Sequence, residues 1–267
     1  MIEDSRERIS HGLTQLRQTI WDELIENGQL TAVEIPVHLR CLSGSTAESQ
    51  ITLNTQRFAG ARYDSLTVAT LATEDGRLCS LTVVGLPSQT SRAPILGVDL
   101  IALRGVFSLI AVDLAPLDDA YWQVHSAPLL SQLESDLSSL VVMRKRPLFT
   151  EGTFSPLALI AGGQKGQELQ ILAAVQAFLR SVAVQSADRM LVTSREEMNV
   201  IHAKRERWLS AERQNRKEHN ALARLFGPDL ASEYLERFLF AAAAADSADA
   251  SVRMTSQNAE ISYGHSA

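Results

Sequence analysis

The 267-residue sequence has few of the residues and patterns that mark several protein classes. Its two cysteines, Cys41 and Cys79, form neither a disulfide framework nor a metal-binding spacing, which is typical of a reducing compartment. Glycine (14) and proline (8) are too scarce for a collagen-like or low-complexity chain. No stretch approaches the roughly 20 apolar residues of a membrane span, and the polar start MIEDSRERIS lacks the pattern of a secretory signal. We therefore expect a globular cytoplasmic protein without a membrane partner.

Motifs for common cofactors are absent as well. The six histidines form no HxxxH or HExxH pair, so the sequence predicts no metal site. There is no GxGxxG, no GxxxxGK[ST] and no GxSxG, and the glycines of AGGQKGQE (161–168) lack the spacing of a phosphate-binding loop. A net charge of −6 argues against a general nucleic-acid binder. Nucleotide binding, zinc chemistry and serine hydrolysis have no support.

What the chain does have is a series of short β-like segments between helical ones. The segments are separated by turns such as SGST, EDGR and RG, and turns this short favour antiparallel neighbours. The predicted strands are 34–40, 50–57, 63–72, 78–86, 95–103, 106–114 and 157–161. The predicted helices are 5–26, 118–142, 167–184, 196–226 and 228–244. This pattern predicts an α+β fold in which helices cover a largely antiparallel sheet.

The domain organisation follows from the same pattern. No internal repeat and no long linker divides the chain, so we expect one domain over residues 1–245. The remaining residues, 246–267, are rich in alanine, serine and polar residues, and we expect a disordered tail.

Asp99 stands out because it lies within an apolar segment, APILGVDLIALRG (93–105). If 95–103 is a strand, both of its faces are apolar, as in a strand covered on both sides. Burial without a partner would raise the pKa of this carboxyl and let it hold a proton near neutral pH. Gly97, two residues earlier on the same face, would leave room for a flat ligand. The alternative is that Asp99 caps a loop or pairs with an arginine such as Arg104.

A second anomaly lies in the late helix. Rows of residues seven apart place Asn215 and Arg216 within an otherwise apolar stripe, next to Trp208 and Leu209. One interpretation is that the stripe faces a cavity, where both side chains bind something. The other is that this helix is mostly solvated and both residues lie at its edge. The same helix is basic, as is MRKRP (143–147), and such clusters are either solvated faces or docking surfaces for an acidic partner.

Taken together, three motifs resemble the ferredoxin-dependent bilin reductases. They are PILGVD (94–99), followed by RG and AVDLAP (111–116); TFSP (153–156); and RQNRKEHNALARLFG (213–227), followed by SEYLERFLF (232–240). The resemblance covers roughly residues 55–240. It implies a three-layer α/β/α sandwich with a central, largely antiparallel sheet, and a linear tetrapyrrole such as biliverdin bound between the sheet and the C-terminal helices. It also implies electrons from reduced ferredoxin, no bound flavin, metal or nicotinamide, protons from acidic side chains, and a monomer.

The resemblance also implies roles for individual residues. Asp99 matches an aspartate of the family's sheet that donates a proton to the bilin, and Asn215 and Lys217 match substrate-contacting residues of the late helix. Three positions depart from the phycocyanobilin-forming members. Thr82 stands at the position of a histidine, and Arg216 at that of a second aspartate. Gly162 lies near the position of an arginine that holds a propionate.

The resulting hypothesis is an enzyme that reduces biliverdin or a related linear tetrapyrrole to a phycobilin-type product. In it Asp99 is the proton donor, and Asn215, Arg216, Lys217 and Thr82 contact the substrate. The departures motivate a second hypothesis, in which the protein only binds a bilin or reduces a different tetrapyrrole such as a chlorophyll catabolite. A plain interaction domain is the third.

Overall fold

The centre of the protein is one antiparallel sheet of nine strands in the computed structural model, which describes residues 2–46, 48–147, 150–185 and 191–241. The strands are β1 (Thr31–Ala32), β2 (Cys41–Ser45), β3 (Gln50–Ala59), β4 (Tyr63–Thr73), β5 (Leu78–Pro87), β6 (Ile95–Leu103), β7 (Val106–Ala115), β8 (Val141–Met143) and β9 (Leu159–Gly163). Their order is β1-β3-β4-β5-β6-β7-β9-β8, with β2 also paired to β3. Strands β3 to β7 are consecutive hairpins, so short local connections build the middle of the sheet.

The hairpin between β6 and β7 sets the register of the two central strands. Arg104 and Gly105 form its two-residue turn and have positive φ angles of 54° and 82°. A two-residue turn with two positive φ angles matches the twist of antiparallel strands. The hairpin also contains a β-bulge between Ile101 and Ala102, which shifts the pairing by one residue and places Asp99 between Thr82 of β5 and Ala111 of β7.

Helices cover both faces of the sheet. The α-helices are α1 (Ile2–Thr19), α2 (Val37–Arg40), α3 (Asp119–Tyr121), α4 (Ala127–Leu137), α5 (Glu168–Gln185), α6 (Arg195–Arg213), α7 (Arg216–Phe226) and α8 (Pro228–Ser232). π-Helical segments continue α1 over Ile20–Glu26, link α3 to α4 over Trp122–Ser126 and continue α8 over Glu233–Leu239. Helices α1, α4 and α5 share one apolar core with the first face of the sheet. Helices α2, α6 and the Glu233–Leu239 segment share a second core with the other face.

The predicted α+β architecture, a three-layer sandwich around a largely antiparallel sheet, is therefore confirmed. The five central strands begin where the sequence predicts and extend at most two residues further. The limits of the single domain stay a prediction, and the proposed tail at 246–267 lies outside the described residues.

Three predicted elements are wrong in detail. The strand at 34–40 is instead an extended segment followed by the short helix α2. The helix at 118–142 ends at Leu137, and Val141–Met143 joins the sheet as an edge strand. The helix at 196–226 is broken: α6 ends at Arg213, and α7 begins at Arg216. In each case tertiary contacts override a local periodicity.

Buried polar contacts anchor the C-terminal helices to the sheet. Arg205 of α6 is only 3% exposed, and its Nη1 donates to Asp64 Oδ2 at 2.6 Å and to the Pro87 carbonyl at 2.9 Å. Arg57 of β3 donates to the Phe238 carbonyl at 2.8 Å, and its guanidinium lies 3.9 Å from the centre of the Phe238 ring. These contacts attach the C-terminal layer to β3, β4 and the end of β5.

Candidate functional site

The two faces of the central strands differ in exposure. On the face toward α1, α4 and α5, the side chains are fully buried. These are Leu81, Val83, Leu96, Val98, Leu100, Ile110, Val112 and Ala161. On the face toward α6 and α7, a contiguous group of residues is only half-buried. We call it the central patch, and it consists of Thr82, Gly97, Asp99, Ile101, Leu109, Ala111 and Ile160. Half-exposed residues in the middle of a sheet indicate a cleft between the sheet and the C-terminal helices.

Asp99 lies at the centre of this patch. Thr82 is its direct cross-strand neighbour and donates a hydrogen bond from Oγ1 to Asp99 Oδ1 at 2.9 Å. Burial raises the pKa of Asp99 to about 6, and the hydrogen bond from Thr82 acts in the opposite direction. Arg104 is exposed in the hairpin turn, so the alternative in which it pairs with Asp99 is wrong.

Open space lies directly beside Asp99. A Cβ atom added to Gly97 would have no neighbouring atom within 4 Å on the sheet face that Gly97 shares with Asp99. The backbone of Gly97 is that of an ordinary strand, so no turn or positive φ requires glycine here. The bare backbone leaves a flat surface about two residues long next to a carboxyl group.

Two glutamates face the sheet from the helical layer. Glu212, in the last turn of α6, is 9% exposed and continues the buried stripe of that helix. Glu218 lies in the first turn of α7. Asn215, between the two helices, caps α7 by accepting from the Glu218 amide and also donates from Nδ2 to Glu218 Oε2, both at 3.4 Å. A hydrogen bond from the Asn215 side chain also lowers the pKa of Glu212, so this one amide contacts both glutamates.

A fourth carboxyl group, Asp113, occupies the next row of the sheet, opposite Gly97. Its Oδ2 accepts from the Ser155 backbone amide at 3.0 Å, which attaches the TFSP segment to β7. Its Oδ1 is buried and has no hydrogen-bond partner among the described residues. Burial raises the pKa of Asp113 to about 6, and contacts with Ser155 and the charge of Arg146 oppose this.

The four carboxyl groups interact electrostatically. Burial, then the charges of Asp99 and Asp113, raise the pKa of Glu212 to about 8. Burial, then Glu212 and Asp99, raise the pKa of Glu218 well above its usual range. At neutral pH Glu212 therefore holds its proton, whereas the two aspartates are mostly ionised. Within the described residues, no three acidic, histidine or cysteine side chains are arranged to hold a metal ion.

Cationic residues lie at the rim of the cleft. Arg216 and Lys217 are exposed in the first turn of α7. Arg144 follows β8, and its guanidinium lies over Gly162, where an added Cβ would be 2.8 Å from Nη2. Gly162 is on the same face of the sheet as Asp99. The two residues lie two strands apart, a separation of roughly 10 Å across the sheet. Arg144 has no carboxylate partner among the described residues, so its charge is available to a ligand.

The structure thus brings together Asp99, Thr82 and Asn215, and places Arg216 and Lys217 outside the carboxyl cluster. Sequence reasoning missed Asp113, Glu212 and Glu218. Asp113 interrupts an apolar strand as Asp99 does, and Glu212 lies 11 residues after Ile201 on the buried stripe of α6. Both positions could therefore have been identified from the sequence pattern. The sequence pattern does not indicate Glu218, because its position depends on the break between α6 and α7.

Comparison with known proteins decides the family. The family model for ferredoxin-dependent bilin reductases matches residues 17–241. The chain belongs to this family. It is a ferredoxin-dependent oxidoreductase that acts on bilins, as the sequence motifs predicted.

Individual relatives agree with this assignment. The phycocyanobilin:ferredoxin oxidoreductase of Trichodesmium erythraeum (strain IMS101) is 23% identical over 231 residues, which are 84% of this chain and 89% of that protein. Among solved structures, tomato phytochromobilin synthase in complex with biliverdin has a TM-score of 0.68 at 17% identity, with 84% of this chain and 82% of that chain covered. PcyX has a TM-score of 0.52 at 13% identity, with 87% and 99% covered. These structural likenesses show a shared fold.

Within residues 2–46, 48–147, 150–185 and 191–241, no helix has both the length and the apolarity needed to cross a membrane.

Proposed function

We propose that this bilin reductase reduces biliverdin or a related linear tetrapyrrole to a phycobilin-type product, with Asp99 as a proton donor. The observation that carries the proposal is the pairing of Asp99 with open space over Gly97 in a half-exposed patch of an otherwise buried sheet. A flat, conjugated ligand lying on this patch would place its polar nitrogens or oxygens within reach of the carboxyl. With a pKa of about 6, Asp99 is close to the operating pH, which suits general acid catalysis.

Electrons are proposed to come from reduced ferredoxin, without a cofactor resident on the enzyme. Each one-electron transfer to the bilin makes the ligand more basic, and Asp99 then supplies a proton. Exposed Arg144, Lys145 and Arg216 give this acidic protein local basic patches for an acidic electron donor.

The direct test is an anaerobic reaction of the protein with biliverdin and a ferredoxin-reducing system, followed by absorbance and product chromatography. A new reduced bilin supports the proposal. Binding without a spectral change on reduction would identify a bilin carrier instead. Failure to bind biliverdin would favour a different tetrapyrrole, such as a chlorophyll catabolite.

Substitution of Gly97 tests the position of the ligand. Gly97→Val is expected to fold normally, because a Cβ atom at this position would have no neighbouring atom within 4 Å. It should weaken bilin binding about tenfold or more, as overpacking a contact costs roughly 1 to 3 kcal/mol. Binding is measured by absorbance titration and folding by thermal melting. Gly85→Val is the matched control: its Cβ would lie 2.8 Å from the Tyr63 ring, so it should lower stability. Unchanged binding by a folded Gly97→Val protein would place the ligand elsewhere.

Arg144 is proposed to hold a carboxylate of the substrate, in place of the arginine that is missing at position 162. Arg144→Gln is expected to raise KM about three- to tenfold, a modest effect because the guanidinium is exposed. The check compares biliverdin with its dimethyl ester, in which both propionates are uncharged. The variant and the wild-type protein should differ only for the free acid. An equal loss with both substrates would rule out a carboxylate contact.

A further inference from the structure

The carboxyl groups on the helical side of the cleft are not used by the proposal above. Glu212 is buried on the stripe of α6 that packs on the sheet, where the charges of Asp99 and Asp113 act on it. Asn215 joins it to Glu218 of α7. A ligand on the central patch would lie between these two sets of acids. The sheet would contact one side of the ligand and Glu212 the other.

The carboxyl groups on the sheet side and on the helical side of the cleft differ in protonation state. Glu212 holds its proton at neutral pH, because it is buried near other acids and its pKa is raised to about 8. Burial, then Glu212 and Asp99, also raise the pKa of Glu218 well above its usual range. Asp99, with a pKa of about 6, is mostly ionised at pH 7. The titratable groups that face these glutamates are Asp99 and Asp113 on the sheet and Tyr234 on the Glu233–Leu239 segment, and burial raises the pKa of Tyr234 to about 12.

The reaction needs more protons than Asp99 holds. Reducing one double bond of the bilin takes two electrons from ferredoxin and two protons, which form two new bonds to hydrogen and leave no other product. Asp99 can supply one proton and is then a carboxylate. Its partner Thr82 is a hydroxyl that does not ionise in the working pH range.

We propose that Glu212 is a second catalytic residue, which donates a proton to the bilin from the side opposite Asp99, and that Asn215 and Glu218 position it. This inference rests on the proposed function. After donation, the Glu212 carboxylate lies near the ionised aspartates, so their repulsion favours its reprotonation from water through Glu218. Each cycle then consumes two electrons and two protons from outside and leaves the enzyme unchanged.

The test uses Glu212→Gln, which keeps the size and the contact with Asn215 but cannot donate a proton. We expect bilin binding within about threefold of wild type, accumulation of a one-electron-reduced bilin, and product formation slowed about 100-fold or more. Glu212→Asp should restore part of the rate and its pH dependence. Glu206→Gln, a carboxyl on the same helix outside the cluster, is the matched control and should behave as wild type.

A substrate-free measurement separates this proposal from the proposed function. The infrared band of protonated carboxyl groups at pH 7 should be weaker in Glu212→Gln than in wild type and Glu206→Gln, and the wild-type band should decrease as pH rises through about 8. Identical bands in wild type and Glu212→Gln, or equal turnover of both, would overturn the role of Glu212. A wild-type protein that has the band but reduces no bilin would instead overturn the proposed function, and the catalytic role with it.

Discussion

Asp99→Asn is expected to bind the bilin and to form product about 10²- to 10⁴-fold more slowly than the wild-type protein. Asparagine has the same shape and retains an oxygen that accepts the hydrogen bond from Thr82, so the cleft should keep its geometry. What it loses is an acidic proton next to the ligand. The measurement is an anaerobic single turnover with reduced ferredoxin, with bound bilin followed by absorbance and product identified by chromatography.

The matched control is Asp136→Asn, an aspartate on the exposed side of α4 that contacts only Gln132 among the described residues. It should turn over at the wild-type rate. If Asp99→Asn also matched wild type, Asp99 would not be the donor.

Stability provides an independent check on Asp99. Its pKa is about 6 in the folded protein, above the ordinary value of 3.8 that applies when unfolded. The folded state therefore binds this proton more tightly. The resulting stabilisation is full below about pH 4 and is lost as pH rises through 6, at up to about 1.4 kcal/mol per pH unit. The Asp99→Asn variant lacks this loss of stability at high pH, so at pH 8 the melting temperature of the variant should not be lower than that of the wild-type protein.

The second large effect is expected at Arg205. Arg205→Ala should lower the free energy of unfolding by about 2 to 4 kcal/mol, because it removes a buried ion pair and leaves the Pro87 carbonyl without its donor. The effect is not larger because Asp64 is 35% exposed and can be hydrated. Urea denaturation measures the change. Turnover should also fall, since α6 carries Glu212.

Arg207→Ala is the control for Arg205. Arg207 lies on the exposed side of the same helix, and its loss should change stability by no more than about 0.5 kcal/mol. A similar loss in both variants would mean that removing a positive charge from the helix, and not the buried contact, accounts for the effect.

The structure shows the surroundings of Thr82 and Arg216, two positions at which the resemblance implies a departure from the phycocyanobilin-forming members. Thr82, at the position of the missing histidine, still contacts Asp99, but as a hydroxyl donor that cannot exchange a proton with it. Arg216, at the position of the missing aspartate, is exposed, whereas Glu212 and Glu218 bring carboxyl groups to the cleft from nearby positions. We propose that these two glutamates supply the acidic groups on the helical side of the cleft.

The central sheet and its helical cover could be predicted from the sequence, which also singled out Asp99 as a carboxyl group within an apolar strand. Hairpin turns and strand periodicity are local signals, and a carboxyl in an apolar strand is visible without coordinates. Asp113 and Glu212 could have been identified from the sequence in the same way, since each is a carboxyl group at an otherwise apolar position. The end of α6 at Arg213, the cap that Asn215 forms on a new helix and the position of Arg144 over Gly162 became visible only in the folded protein. The break between α6 and α7 depends on how the C-terminal layer packs on the sheet. This packing brings together residues about 100 to 120 positions apart, such as Asp113 with Glu212 and Asp99 with Glu218, and no local pattern in the chain encodes such contacts.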